Sequence, residues 1–343
     1  MQDNKFKLVY NRLKRQAFSH LRLTRIVILS LIFLALIGFI LSFKNQIFPR
    51  VSTSLRQTDG RTNILLLGMS GPGHEGSDMT DTIILASIKT ETGDVTLISI
   101  PRDFLVPSLK AKVNSAFHTG FTKQATPGGL LLAKTAVSEI TDQKIHYAAG
   151  LDFSVFMQVI DLIGGITVDV PNSFDDNKYP LPGKETDLCD GDPETLCRYE
   201  HLHFDSGSQT MDGSRALKFI RSRQSADLTE GTDFARSRRQ ILVIQAIKQK
   251  LTSPEFLRHP KIYLKLISIL KNNLVTDLTS HEYFPLAKLV WKARNQTLKP
   301  FSITEPDQLY HPPISAKYDY QWVLLPKSDQ PQIVFDYVSG LLK

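Results

Sequence analysis

Apolar positions along the chain fall into three kinds of pattern. The first is an uncharged run over residues 26–43, interrupted only by Ser30, Gly38 and Ser42. At ~1.5 Å per residue it reaches roughly 27 Å, close to the hydrocarbon thickness of a bilayer. It has no polar face of the kind a buried core helix keeps, and Lys44 and Asn45 follow with no small-residue cleavage pattern, so it reads as an uncleaved transmembrane helix. The second kind is a set of short β-branched runs at 63–68, 82–88, 95–100, 145–149 and 166–170, each bounded by glycine, proline or a polar turn, which predict strands. The third is apolar spacing of three and four residues over 127–140, 152–163, 211–219 and 232–251, which predicts helices. After Ser253 the pattern predicts helices around 264–271 and 283–293 and a last strand near 321–325. Strands interleaved with helices imply a layered α/β domain with helices on both faces.

Charge divides the chain in the same places. The formal net charge is +7, but residues 1–25 hold seven Lys or Arg against Asp3 alone, so the leader accounts for nearly all of it. A basic face for nucleic acid is therefore not expected on the domain. Positive charge stays on the cytoplasmic side of a membrane span, which puts the rest of the chain outside the cell membrane. The expected organisation is a cytoplasmic tail at 1–25, the span at 26–43, a linker at 44–61, a catalytic domain at 62–252, and at 253–343 a helical extension with a final strand packed on that domain. Cys189 and Cys197, the only cysteines, lie in or beside a polar Pro/Gly-rich insert at 180–193. Outside the cell a disulfide between them is the plain expectation; a zinc site would have to recruit His201 and His203.

Candidate chemistry is a scattered set of arginines with a few carboxylates. Arg102 follows an apolar strand, where a parallel sheet places its ligand crevice. Arg221 and Arg223 share one face if their segment is extended. Asp233, Arg236 and Gln240 form one stripe of a helix, with Arg239 beside it. Lys112 and Asn114 add a point charge and an amide close behind Arg102. Planar guanidinium groups bind phosphate oxygens in pairs, so several around one point suit a doubly esterified diphosphate. The apolar face of Phe153, Phe156, Met157 and Ile160 suits either core packing or the wall of a lipid tunnel.

These segments, in order, resemble the LytR-CpsA-Psr family of bacterial cell-wall glycopolymer ligases. The matching pieces are Asn63 to Gly68, Thr80 to Leu85, Ser99 to Asp103, Lys112 to Asn114, Gly164 to Pro171, Met211 to Leu217, Arg221 to Arg223, and Asp233 to Arg236 leading into Arg239 and Gln240. The resemblance implies an α-β-α sandwich with a tunnel for a polyprenyl tail. It also implies a transferase that moves a glycan phosphate from a polyprenyl diphosphate carrier to peptidoglycan or another surface acceptor. Carried over position by position, Arg102, Arg221, Arg223 and Arg236 bind the diphosphate, and Lys112, Asn114, Asp233, Arg239 and Gln240 support it. Asp81 helps to hold magnesium, or manganese in its place. Where the family commonly has a second metal carboxylate this chain has Ser70, so Asp78, or failing it His74 or Glu75, is expected to supply that ligand. Asp103 is expected to support its turn.

The rival classes are a hydrolase releasing the glycan phosphate to water, a non-catalytic binder of lipid-linked glycan, and a transcriptional regulator, the last disfavoured by the location of the charge. The sequence has no Gly-x-Ser-x-Gly elbow, His-Glu-x-x-His helix or Walker loop.

Overall fold

The first three strands are buried along almost their whole length, so the sheet they build is covered on both faces. In the computed structural model, residues 54–343 are described, except 74, 75, 182, 185 and 228. The expected tail, membrane span, first part of the linker, His74 and Glu75 lie outside the described residues. Among the described residues, no helix is long and apolar enough to cross a membrane.

The chain runs through β1 (Arg61–Met69), β2 (Thr80–Lys89), β3 (Val95–Ser99), a small hairpin of β4 (Leu105–Val106) and β5 (Ala111–Lys112), α1 (Ala116–Lys123) and α2 (Ala125–Thr141). Then come β6 (Tyr147–Asp152), α3 (Phe153–Leu162), β7 (Ile166–Val170), β8 (Phe174–Pro180), β9 (Tyr199–Phe204) and β10 (Gly207–Met211). The remainder is α4 (Gly213–Arg221), α5 (Asp233–Thr252), α6 (Pro254–Leu257), α7 (Pro260–Asn273), β11 (Val275–Thr276), α8 (Tyr283–Ala293), β12 (Leu298–Ser302), β13 (Leu309–Tyr310), β14 (Leu325–Pro326) and α9 (Pro331–Leu342).

The central sheet has the order β11-β6-β1-β2-β3-β12. It is mixed: β1 pairs with β6, and β3 with β12, in parallel, whereas β2 is antiparallel to both of its neighbours. Successive side chains point to opposite faces of a strand. Leu65, Leu67, Ile83, Leu85 and Ile98 accordingly pack on one side against α2 and α9. Ile64, Ile84, Ala86 and Leu97 pack on the other with Ile241 of α5 and Leu289 of α8. This is the expected sandwich. A separate apolar cluster joins α3 and α5 to β7 and β8 through residues such as Ile160, Val168, Phe174 and Val243.

Three expectations change. Residues 253–343 do not only pack on the sheet: β11 and β12 are its two edge strands, and Leu55–Lys343 is one compact unit. The strand near 321–325 is instead Leu325–Pro326, paired with β13 outside the central sheet, and α9 follows it. The end of the linker is docked, with the Arg56 amide donating to the Tyr147 hydroxyl (2.8 Å) and its guanidinium lying 4.0 Å over that ring.

His146 fixes the chain ahead of β6. Its Nδ1 accepts the Asn63 amide (2.9 Å), and its Nε2 meets the Thr58 hydroxyl (3.0 Å). Burial, then the nearby Lys144, Arg56 and Lys134, lower its pKa from 6.5 to about 4. The fold thus favours the neutral ring, so this contribution is complete above pH 6.5 and is lost as pH falls towards 4. Urea unfolding is expected to give a stability on the order of 2 kcal/mol lower at pH 4 than at pH 6.5 through this group. The His146→Gln variant is expected to lose less stability than the wild type over the same interval.

Candidate active site

Because β2 is antiparallel to β1 and β3, it begins beside the end of β3. Asp81 therefore meets Arg102, which lies just beyond β3, and Arg102 Nη1 donates to Asp81 Oδ1 at 2.7 Å. The crevice forms at this end of a mixed sheet, not at the carboxyl ends of an all-parallel one. The β4–β5 hairpin then brings Lys112 back, and its Nζ donates to Asp103 Oδ1 at 2.7 Å. Asp103 is 7% exposed and also lies 3.4 Å from Arg102 Nε, so it braces two cations, in keeping with the expected support of its turn.

The N-terminus of α5 closes the opposite wall. Thr232 caps it, its hydroxyl accepting from the Ala235 amide (3.1 Å). Asp233 in the first turn lies 3.1 Å from Arg236 Nη1 and 3.7 Å from Arg102 Nε. A cavity of about 540 Å³ runs between these walls, lined by Asp81, Arg102, Lys112, Arg223, Arg236 and Gln240, among others. A second, of about 290 Å³, shares Asp81, Arg102, Arg223 and Arg236 with it and adds Arg221. All four arginines expected to bind a diphosphate thus border one crevice.

Their charges are unevenly matched. Burial opposes the charge on Arg102, but Asp233, Asp81 and Asp103 outweigh it and raise the pKa. Arg236 is shifted down, by burial first and also by Arg102 and Arg223, against the pull of Asp233. The Nε groups of both Arg102 and Arg236 are buried with no acceptor in hydrogen-bonding geometry. An unsatisfied buried donor is costly, and Asp233 Oδ1 beside them is likewise buried without a hydrogen-bond partner.

Arg221 and Arg223 reach the crevice by a different route from the one expected. The segment is not extended: α4 continues to Arg221, started by Asp212, whose carboxylate accepts from the Arg215 amide at 2.7 Å. The helix wins because Ala216, Leu217 and Phe219 bury along it. Gly213 allows close approach to α3, since a Cβ there would sit 2.5 Å from the Met157 carbonyl oxygen. The chain turns out at Ser222, held by the buried Asp176, whose Oδ2 accepts from the Ser222 hydroxyl (2.6 Å) and the Arg223 amide (3.1 Å). Arg221 donates to the Tyr179 hydroxyl (3.2 Å) and lies 4.6 Å over the Phe153 ring.

Other residues depart from expectation. Arg239 does not line the crevice. It is buried, donating to the Phe219 carbonyl oxygen (3.1 Å), the Ser222 carbonyl oxygen and Glu230 Oε2 (2.8 Å), with its guanidinium 4.5 Å over the Phe174 ring. Burial lowers its pKa to about 10. It ties the loop before α5 to the core. Asn114 also faces elsewhere: it is buried, and its backbone is bonded to the Arg102 carbonyl oxygen and to the Thr80 hydroxyl. Asp78 is held by His118 Nδ1 at 2.9 Å and is not among the residues that line either cavity. Asp81, with 37% of its side chain exposed, remains the carboxylate that fits a cation shared with ligand phosphates, a common arrangement for magnesium. The helix face of α3 is divided, with Ile160 and Phe156 in the core while Phe153 and Met157 line a cleft of about 520 Å³ that also touches Arg221. Cys189 and Cys197 form the expected disulfide. Glu305, Trp322 and Leu324 line the larger cavity but come from the stretch in which no motif was legible.

The α/β domain thus collects four guanidinium groups around one crevice. The chain belongs to the LytR_cpsA_psr family, whose sequence model matches residues 42–323. It is 31% identical to the polyisoprenyl-teichoic acid–peptidoglycan teichoic acid transferase TagU of Oceanobacillus iheyensis, over 68% of this chain and 64% of that protein, so the match spans a little under two thirds of that relative. Its fold is similar to protein gbs0355 of Streptococcus agalactiae (TM-score 0.59, 21% identity, 82% of this chain and 88% of that one). It is also similar in fold to TagV of Bacillus subtilis (TM-score 0.56, 21% identity, 83% and 98%).

The two kinds of arginine separate by stability. Arg239→Ala removes the buried cation from Glu230 Oε2, leaving Glu230 with Asn172 and Arg238 at its other oxygen, and is expected to cost about 3 kcal/mol in urea unfolding. Arg223→Ala, an exposed residue on the rim, is expected to change stability by less than about 0.5 kcal/mol.

Proposed function

We propose that this protein transfers a glycan phosphate from a polyprenyl diphosphate carrier to peptidoglycan or another cell-surface acceptor, on the outer side of a membrane to which residues 26–43 anchor it. The observation that carries this reading is the convergence of Arg102, Arg221, Arg223 and Arg236 on one crevice, with the Nε groups of Arg102 and Arg236 buried and outside hydrogen-bonding geometry. The activity for which the Oceanobacillus relative is named supports the same substrate class.

The diphosphate lies across the crevice, with Arg102 and Arg236 on its oxygens and Arg221 and Arg223 at the outer side. The acceptor hydroxyl attacks the phosphorus that carries the glycan, and the bond from that phosphorus to the bridging oxygen breaks. Polyprenyl phosphate leaves, and the hydroxyl proton passes to solvent. Phosphoryl transfer of this kind is mostly positioning and charge stabilisation, so no covalent protein nucleophile is needed. Asp81 would hold a magnesium ion, which would supply positive charge to offset that on the phosphate oxygens. Asp233 and Asp103 keep the arginine side chains in place before substrate arrives. The prenyl tail follows the cleft of Phe153 and Met157, which meets the crevice at Arg221. Trp322, 39% exposed and stacked on His311 at 4.8 Å, offers a flat face on the rim for a sugar ring.

Two outcomes test the reading with the full chain, a lipid-linked glycan and peptidoglycan. Arg102→Ala is expected to lower transfer at least about a hundredfold, the loss of one charge-stabilising donor at about 3 kcal/mol. Near-normal transfer by that variant removes Arg102 from the mechanism. Trp322→Ala is expected to raise KM roughly fivefold with little change in kcat. Release of glycan phosphate at the same rate with and without acceptor would replace transfer by hydrolysis.

A further inference from the structure

The β8–β9 hairpin carries a second constellation, away from the arginine crevice. On β9, His201 and His203 stand on the exposed face while Leu202 and Phe204 turn inward. On β8, Asp175 is paired in register with His203. His201 Nε2 and His203 Nδ1 both approach the same oxygen, Asp175 Oδ1, at 2.8 Å. The remaining nitrogen of His203, Nε2, lies 3.1 Å from Asp205 Oδ1. Its backbone carbonyl oxygen accepts from Arg215 Nη2.

Exposed ion pairs contribute little to stability. The side chains of His201, His203 and Asp175 carry the donors of a metal ligand set, which rotation of the exposed rings can bring to one point. Two histidines two residues apart on a strand share a face, and a carboxylate from the neighbouring strand completes three ligands, leaving room for water. A ligating histidine characteristically gives its other ring N–H to a carboxylate, and Asp205 Oδ1 lies within reach of His203 Nε2 for that purpose. Imidazole with carboxylate suits zinc among the common divalent ions. The nearby cysteines are committed to their disulfide and are not ligands.

We infer that His201, His203 and Asp175 form a zinc site on the exposed face of this hairpin, with Asp205 orienting His203. Ligand bonds of about 2.0–2.2 Å are reached by rotation of exposed side chains as the cation replaces the shared hydrogens. The site is linked to the crevice by one peptide bond, because Asp176, next to Asp175, holds the loop that bears Arg223. Occupancy therefore stiffens the hairpin that sets this loop.

The test is calorimetric titration of the chelator-stripped full chain with zinc chloride in the presence of millimolar magnesium. One equivalent is expected to bind with a Kd in the micromolar range or below, and cobalt in place of zinc should give visible d–d bands. The His201→Gln/His203→Gln double variant should weaken binding about a hundredfold or more, and Asp205→Asn at least about tenfold. The metal-free variants should keep the wild-type melting temperature, because the altered residues are exposed. Absence of zinc binding at 100-fold excess over protein, or wild-type affinity in the double variant, overturns the inference.

Discussion

Bringing cations together is unfavourable unless something negative lies between them. Arg102 and Arg236 are held close by Asp233, which lies 3.7 Å from one and 3.1 Å from the other. Asp81 and Asp103 take further parts of the charge of Arg102. The carboxylates thus allow the cluster to assemble in the free protein without satisfying it, because two Nε groups keep no acceptor. Such a site is organised in advance for a ligand with more negative charge than the carboxylates supply at those positions, and little reorganisation is left for the moment of binding. The rest of the domain can be read as what holds these groups in place. An antiparallel β2 sets Asp81 beside Arg102, a short hairpin returns Lys112, and a capped helix presents Asp233 and Arg236.

Much of this was legible in the sequence because it depends on local pattern. The apolar runs of β1, β2 and β3 and the stripe of Asp233, Arg236 and Gln240 need only the pattern of one element. Arg102 was marked by its place just after an apolar strand. What failed depended on partners far along the chain. Arg221 and Arg223 were expected to share a face in an extended segment beyond the helix at 211–219, but the burial of Ala216 and Leu217 and the cap at Asp212 carry the helix on to Arg221. Arg239 sits beside the functional stripe, and only the folded loop at Glu230, Phe219 and Ser222 reveals that its donors are already taken. Asp78 was a reasonable metal ligand by proximity in sequence, yet His118 holds its carboxylate.

The C-terminal stretch was the least legible. β12 pairs in parallel with β3 across some two hundred residues, and periodicity in one segment carries no trace of such a partner. The same holds for Glu305 and Trp322, which enter the larger cavity from that stretch. Asp176 carried no local signal either, although its single oxygen fixes the loop that bears Arg223. Residues that act by holding a loop are the hardest to find from sequence, since their chemistry is ordinary and their position alone is special.

The central claim is most directly tested by a crystal structure of the chain with a polyprenyl diphosphate and magnesium. Phosphate oxygens within about 3.2 Å of both Arg102 Nε and Arg236 Nε, with Arg221 and Arg223 at the outer side, are the predicted result. A diphosphate bound elsewhere on the domain, with those two Nε groups still lacking an acceptor, would contradict the account.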